Sequence, residues 1–345
     1  MPLSPTKRLT LAMMAERLGM STATVSLALR DSPLVAAETR KKVQDLADDL
    51  GYIYNRSAAS LRTARSHIVG VVVHDVLNAY FAELLSALEA ELVKRGQTVI
   101  LCNHGDDFAR QRHFLETLLE HRSDGVILCP SAGTQARDIT RIEQAGLPTV
   151  LVAREVAGLD ATPVVRGDDA VGMELAVRHL IAAGHTRIAF VGGSGRSSSG
   201  RERLRGFETA MEAAGLPIEP ELMFSDLMTR AEGKRVAPAV LAKKPTAVAC
   251  FNDLIAFGLM MEMHRLGLEP GRDIAVSGYD DVEEAAIWSP SLTSVWNGQQ
   301  EVGRQAAVML TEMVAGRAPA VERVLVTPEL HVRESTTGGA PRAGA

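Results

Sequence analysis

The sequence predicts a small all-α head, a helix-turn-helix unit, joined to an α/β body of two lobes with parallel sheets. Three observations predict it. Residues up to about Arg65 show helical periodicity and almost no strand pattern. From His67 onward, short β-branched runs alternate with longer helical patterns, which is how parallel sheets covered by helices read. That alternation runs for about 280 residues, long for one such sheet, so two lobes with a cleft between them are expected.

In the head, Thr10 is placed to cap a helix over Leu11–Leu18 that Gly19 ends. Ser21 caps a second over Thr22–Arg30, broken by Asp31-Ser32-Pro33. A third spans Ala37–Leu50, with Val43, Leu46, Ala47 and Leu50 at core spacing and Gly51 just past its end. In the body, strands are expected at Ile68–Val73, Thr98–Cys102, Val126–Cys129, Thr149–Val152, Ile188–Val191, Ala247–Phe251 and Ile274–Gly278. Helices are expected over Tyr80–Arg95, Arg110–His121, Gly172–Ala183, Arg201–Ala214, Leu254–Leu266 and Glu301–Ala315. The expected organisation is a head over residues 1–52, a linker over 53–65, the body over 66–337 and a frayed tail over 338–345.

The 345 residues are 46 % hydrophobic and 23 % charged, which excludes disordered, collagen-like and low-complexity classes. A net charge of −5 taken alone argues against nucleic acid, yet the charge is divided. Residues 1–65 carry ten Lys/Arg against six Asp/Glu, +4, and residues 66–345 carry 27 against 36, −9. The basic head is where phosphates would lie. Cys102, Cys129 and Cys250 are far apart and lack metal-type spacing, so buried thiols in a reducing, cytoplasmic compartment are expected, with no metal or cofactor. The chain opens without a secretory pattern, and its apolar runs fall short of the roughly 18 residues a membrane span needs.

The stretch from Thr10 to Leu29 has the spacing of a helix-turn-helix. Ala15 is small where the helices touch, Gly19 follows four residues later, and Val25 six beyond that, with Met14, Leu18, Met20 and Ala28 as further core positions. The second helix offers Thr22, Ala23, Ser26 and Leu27 to a groove, while Ser21, Thr24 and Ser26 suit phosphates at a helix N-terminus. A three-helix bundle of any kind has small residues and a glycine; the coincidence of all the spacings favours the DNA-binding reading.

These residues resemble the lactose-repressor family of bacterial transcription regulators. The likeness extends through VAAETRKKVQDLADDLGY (Val35–Tyr52), NRSAASL (Asn55–Leu61), RSHIVGVVV (Arg65–Val73), NAYFAELLSALE (Asn78–Glu89), RSDGVIL (Arg122–Leu128), HLIAAGHTRIAFVGG (His179–Gly193), RLRGF (Arg203–Phe207), NDLIAFG (Asn252–Gly258) and SGYDD (Ser277–Asp281). The resemblance implies a homodimeric repressor on a near-palindromic operator, one recognition helix per major-groove half-site. DNA contacts then fall on Thr10, Ser21, Thr22, Ala23, Thr24, Ser26 and Leu27, and on Asn55 and Leu61 of a hinge helix over Asn55–Arg62. Leu61 matches a leucine that wedges into the minor groove; ordinary linker packing is the alternative. Tyr54 and Leu27 depart from the family, which usually has proline at the first and often a polar or basic base reader at the second.

The resemblance also implies a periplasmic-binding-protein-like body with a small effector, expected to be a sugar, between its lobes. Arg203 matches an effector clamp whose fork suits vicinal hydroxyls or a carboxylate, and Asp280 a hydroxyl acceptor. Tyr80 and Phe81 match a stacking pair, and Asn252, Ser131, Asp168, Ser199 and Asn297 match further contacts. Asn252 is equally suited to cap a helix, and Phe81 to core packing. Ala153 stands where many relatives have an acid. Ala153-Arg154 and VVRGDD (Val164–Asp169) resemble maltose-regulon regulators. Two other classes fit less well. The loop Gly192–Gly200 lacks GxGxxG and GK[ST] spacing, and neither GxSxG nor a hydrolytic carboxylate pair is present, so no enzyme is expected. A periplasmic sugar carrier would need a leader and would not carry the helical head.

Overall fold

A computed structural model describes residues 9–53, 65–318 and 321–338. The chain divides into two compact units, Met1–Ser66 and His67–Ala345. Asn55, Leu61 and the expected hinge helix lie outside the described residues.

The first unit holds α1 (Leu11–Leu18), α2 (Thr22–Ala28) and α3 (Ala37–Leu50). Each begins and ends for local reasons. The Thr10 hydroxyl accepts from the Met13 N–H at 3.3 Å, and the Ser21 hydroxyl from the Thr24 N–H at 3.1 Å. Gly19 stands at φ +62, a left-handed cap that closes α1 and starts the tight turn into α2. Met14, Ala15, Val25, Ala28, Val43 and Ala47 form the buried core. α2 stops at Ala28, two residues before the expected Arg30, because the Arg30 and Asp31 N–H groups bond back only three residues and Asp31 turns to φ +55.

The second unit has two lobes. The first is a six-stranded parallel sheet in the order β11-β5-β4-β3-β1-β2. Its strands are β1 (Ile68–Val73), β2 (Thr98–Asn103), β3 (Gly125–Leu128), β4 (Thr149–Val152), β5 (Val164–Gly167) and β11 (Arg323–Val326). Around it lie α4 (Ala79–Lys94), α5 (Phe108–Glu120), α6 (Ala136–Gln144) and α12 (Gln299–Val314). α12 packs tightly on α4, since a Cβ at Gly303 would lie 2.4 Å from the Leu84 carbonyl oxygen.

The second lobe is a four-stranded parallel sheet, β7-β6-β8-β9, built from β6 (Ile188–Val191), β7 (Met223–Phe224), β8 (Ala247–Cys250) and β9 (Ala275–Ser277). Helices α7 (Asp169–Ala182), α8 (Ser198–Ala213), α9 (Arg230–Ala242) and α10 (Asp253–Arg265) cover it. Short α11 (Glu283–Ile287), the antiparallel pair β10 (Ser294–Trp296) and β12 (Glu329–His331), and α13 (Glu334–Thr337) complete it. The chain passes between lobes three times: from β5 to α7, from β10 to α12, and from β11 to β12. At the first crossing Gly167 admits no side chain, because a Cβ there would sit 1.7 Å from Asn297 Oδ1.

Most expected elements stand within three residues of their predicted bounds. α6, α9, α11, α13, β7 and the positions of the crossing strands fall outside the elements expected from sequence. Pro238 inside α9 masks its helical pattern.

Candidate functional site

Between the lobes lies a cleft of about 420 Å³, part of it open to solvent. His74, Asn78, Tyr80, Phe81, Ala153 and Arg154 line it from the first lobe. Ser199, Arg203, Met228, Phe251, Asn252 and Asp280 line it from the second, and Asn297 from the second crossing. Strands of both sheets end here, where open α/β sheets bind ligands.

Arg203, on α8, is the anchor of the second-lobe wall. Nε donates to Asp169 Oδ1 at 2.8 Å, Nη1 to the Phe251 carbonyl at 2.6 Å and Nη2 to Asp280 Oδ1 at 3.2 Å. Its guanidinium carbon lies 3.6 Å from the Tyr279 ring centroid and 4.5 Å from that of Phe251, so rings as well as carboxylates fix the plane. Asp280 follows β9 at φ +103 and Asp281 at φ +47, backbone strain of the kind functional sites hold. Bonds to the Val295 carbonyl, the Ser294 hydroxyl and the Asp253 carboxylate brace this turn. Burial pushes the Asp280 carboxyl up to about 6 against the opposing pull of Arg203. Burial also works against the Arg203 charge, yet Asp169 and Asp280 hold its pKa above the usual value.

The first-lobe wall is built around Arg154. A three-residue turn centred on Ala153, at φ +60, brings the Arg154 N–H to the Val152 carbonyl at 2.6 Å. The side chain is thereby turned inward and buried, with Nη1 donating to Asp106 Oδ1 at 2.6 Å and to the Pro130 carbonyl at 3.2 Å. Burial opposes ionisation of Asp106, but His74 and Arg154 hold its carboxyl far below the usual range. His104 accepts the Asp106 N–H at Nδ1 and meets the Cys129 carbonyl through Nε2 at 3.0 Å; burial lowers its pKa to about 4. The lobes also touch directly: the Glu155 N–H donates to the Ser198 hydroxyl at 2.8 Å, and Gln299 Nε2 reaches both Glu83 Oε2 and the Asp280 carbonyl at 3.0 Å.

In the head, the start of α2 is the exposed face. Ser21, Thr22 and Ala23 are open to solvent, and Thr24 and Ser26 are half-buried. Ser21 and Thr24 hydroxyls bond each other at 2.9 Å. Leu27 is half-buried and packs against the bundle core.

Residues 10–55 match the model of bacterial regulatory proteins of the lacI family, and residues 177–336 that of the periplasmic binding protein-like domain. The chain is 31 % identical over 320 residues to the HTH-type transcriptional repressor PurR of Vibrio vulnificus (strain CMCP6), across 92 % of this chain and 95 % of that protein. The chain belongs to the lacI family. The PurR repressor of Aliivibrio fischeri (strain ATCC 700601 / ES114) is 32 % identical over 331 residues, 94 % of this chain and 97 % of the relative. The Lac repressor dimer bound to operator and the anti-inducer ONPF superposes with a TM-score of 0.83 at 27 % identity, covering 96 % of this chain and 99 % of that one. The transcriptional regulator CelR in complex with cellobiose gives 0.72 at 28 %, covering 95 % and 100 %. This lacI-family chain is a DNA-binding transcriptional repressor with a ligand-binding, periplasmic-binding-protein-like domain. Among the described residues no helix is long and apolar enough to cross a membrane.

Of the effector residues expected from sequence, the fold brings together Tyr80, Phe81, Ser199, Arg203, Asn252, Asp280 and Asn297. Ser131 stays apart from the cleft lining: its N–H takes Gln111 Oε1 at 2.6 Å and its hydroxyl meets Thr134 at 3.2 Å, closing a turn after β3. Asp168 caps α7 through the Val171 N–H at 3.3 Å, and the buried carboxylate beside Arg203 is the next residue, Asp169. The GDD triplet held that signal, since the residue before a helix is spent on its cap. Asn252 is committed as a cap, accepting from the Ile255 N–H and donating to the Met228 carbonyl. Phe81 serves both the core and the cleft wall. Sequence reasoning missed the His74, Asp106 and Arg154 group, because its members come from three separate strand ends.

Proposed function

We propose that this repressor binds a palindromic operator as a homodimer through the α2 face and releases or engages it according to a neutral, ring-shaped polar molecule held between the lobes, with a carbohydrate as the leading class. The carrying observation is charge pairing. Arg203 already faces Asp169 and Asp280, and Arg154 faces Asp106. An anionic ligand would have to displace a paired carboxylate to find a cation, a buried one in the case of Arg203. A sugar needs only fixed donors and acceptors above an aromatic face, and Arg203, Asp280, Asn78, Asn297 and the Tyr80 ring supply them. The Tyr80 hydroxyl is buried without a hydrogen-bond partner among the described residues, a cost that a ligand hydroxyl would remove.

The CelR–cellobiose complex supports the sugar class. A second reading, a purine, is favoured by the PurR relatives, and the same charge-paired cleft suits it. The narrower likeness to maltose-regulon regulators is not carried further, since these relatives are PurR repressors. Effector binding acts by favouring one closure of the lobes over another, so its affinity must differ between them.

The test is a thermal-shift screen of the full chain with mono- and disaccharides beside purine bases, since a cleft ligand raises the melting temperature by mass action. A rise with sugars alone supports the leading reading; a rise with purines alone replaces it. Sedimentation of the complex with a selected palindromic duplex tests the dimer, and one chain per duplex would refute it.

A further inference from the structure

His74, His104 and Asp106 bring three ligand-type atoms within 4.8 Å of one another, on the cleft side of the first lobe. A metal is a poor occupant. Both His104 nitrogens are used, one by the Asp106 N–H and one by the Cys129 carbonyl. The Arg154 guanidinium already sits 2.6 Å from Asp106 Oδ1, and its charge would oppose a dication.

His74 is the member whose ring is left for a ligand. Its Nδ1 is buried with no hydrogen-bond partner among the described residues, and the nearest anion is Asp106 Oδ2 at 3.5 Å. Asp106 is held ionised by Arg154 and also accepts the Ala132 N–H at 3.0 Å, so it has no proton to give. Any hydrogen shared across that contact therefore sits on Nδ1. A neutral imidazole protonated at Nδ1 carries its lone pair on Nε2. The ring borders the cleft and is steadied by an edge-on contact with Phe81, centroids 6.0 Å apart.

We propose that His74 is a specificity-determining contact of the effector, its Nε2 accepting a hydrogen bond from the bound molecule beside the N–H donors of Arg154, with Asp106 as the positioning residue. This rests on the reading of the cleft as the effector site. Acceptor and donor side by side suit two adjacent hydroxyls, one donating to Nε2 and one accepting from the guanidinium. The first-lobe wall then matches the pairing of Asp280 with Arg203 across the cleft.

Two measurements test it. Nitrogen-15 spectra of histidine-labelled full chain report the tautomer without any ligand. Hydrogen on Nδ1 of His74, lost as a preference in Asp106→Asn, is expected; hydrogen on Nε2 in the wild type overturns the proposal. Calorimetric titration with cellobiose, maltose, D-ribose and hypoxanthine, one at a time, reads the contact itself. For any probe that binds, His74→Ala weakens affinity about tenfold, and His74→Gln, whose amide oxygen can accept, recovers part of it. Unchanged affinity in His74→Ala overturns the proposal. If none of the four binds, the sugar and purine readings fail, while the tautomer still decides whether His74 can accept.

Discussion

The second-lobe wall of the cleft fixes its arginine with two carboxylates, a carbonyl and two aromatic rings. The first-lobe wall fixes its arginine with one carboxylate and one carbonyl, both on a single terminal nitrogen. The same residue type faces the same space under different degrees of constraint. Arg203 is a pre-set fork that a ligand meets ready-made, at little ordering cost. Arg154 and His74 keep more freedom, with a 3.5 Å contact where a full hydrogen bond would be shorter. The wall with fewer bonds is the one with more freedom to adjust to a ligand.

The largest expected effect comes from removing the anchors. Arg203→Ala leaves Asp169 and Asp280 buried beside each other without a cation, and should cost roughly 3–5 kcal/mol of stability. It should abolish the effector-dependent change in operator binding while the effector-free operator affinity persists, read by denaturant melts and by fluorescence anisotropy on operator duplex. Arg154→Ala should cost less, roughly 1–3 kcal/mol, because Asp106 is partly exposed and keeps the Ala132 N–H. Equal losses would break the comparison.

A smaller effect separates the walls by pH. The His104 pKa is lowered by burial to about 4 in the folded chain. Below its unfolded value, near 6.5, the unfolded chain binds the proton more readily, so this contribution is lost as pH falls from about 6.5 to 4. Asp280 has the opposite sign. Its raised pKa, about 6, makes its contribution full below roughly 3.9 and lost as pH rises through about 6. Melting temperatures across this range should become flatter on the acid side in His104→Asn, and should fall less with rising pH in Asp280→Asn. Slopes that change the same way in both variants would contradict the opposed arrangement.

The smallest effect concerns Asn252. Asn252→Ser preserves an N-cap, so stability should change by less than about 1 kcal/mol and ligand affinity by less than about threefold, measured by melting and titration. A loss comparable to that of Arg203→Ala would make Asn252 a ligand contact after all.

Much of this molecule follows from short-range rules. The caps Thr10 and Ser21, the left-handed Gly19, and the alternation of β-branched runs with helical patterns depend on neighbours a few residues apart, which is the range that sequence periodicity reports. The spacing from Ala15 through Gly19 to Val25 is likewise local, and the head's core follows it. The cleft was half legible. Arg203, Asp280, Tyr80 and Phe81 all stood out through the family resemblance. The choice between Asp168 and Asp169, by contrast, turned on which of two adjacent carboxylates the start of α7 would consume as its cap.

Sequence by itself determined the head, the alternating body and the division of charge, because each rests on contacts between close neighbours or on composition along the chain. Only tertiary structure decided where the three crossings fall and how the arginine of each cleft wall is paired. Asp106 meets Arg154 across 48 residues of chain, and Asp280 meets Arg203 across 77. Partnerships at that distance are set by how the sheets stack and where their strands end, which no local pattern encodes.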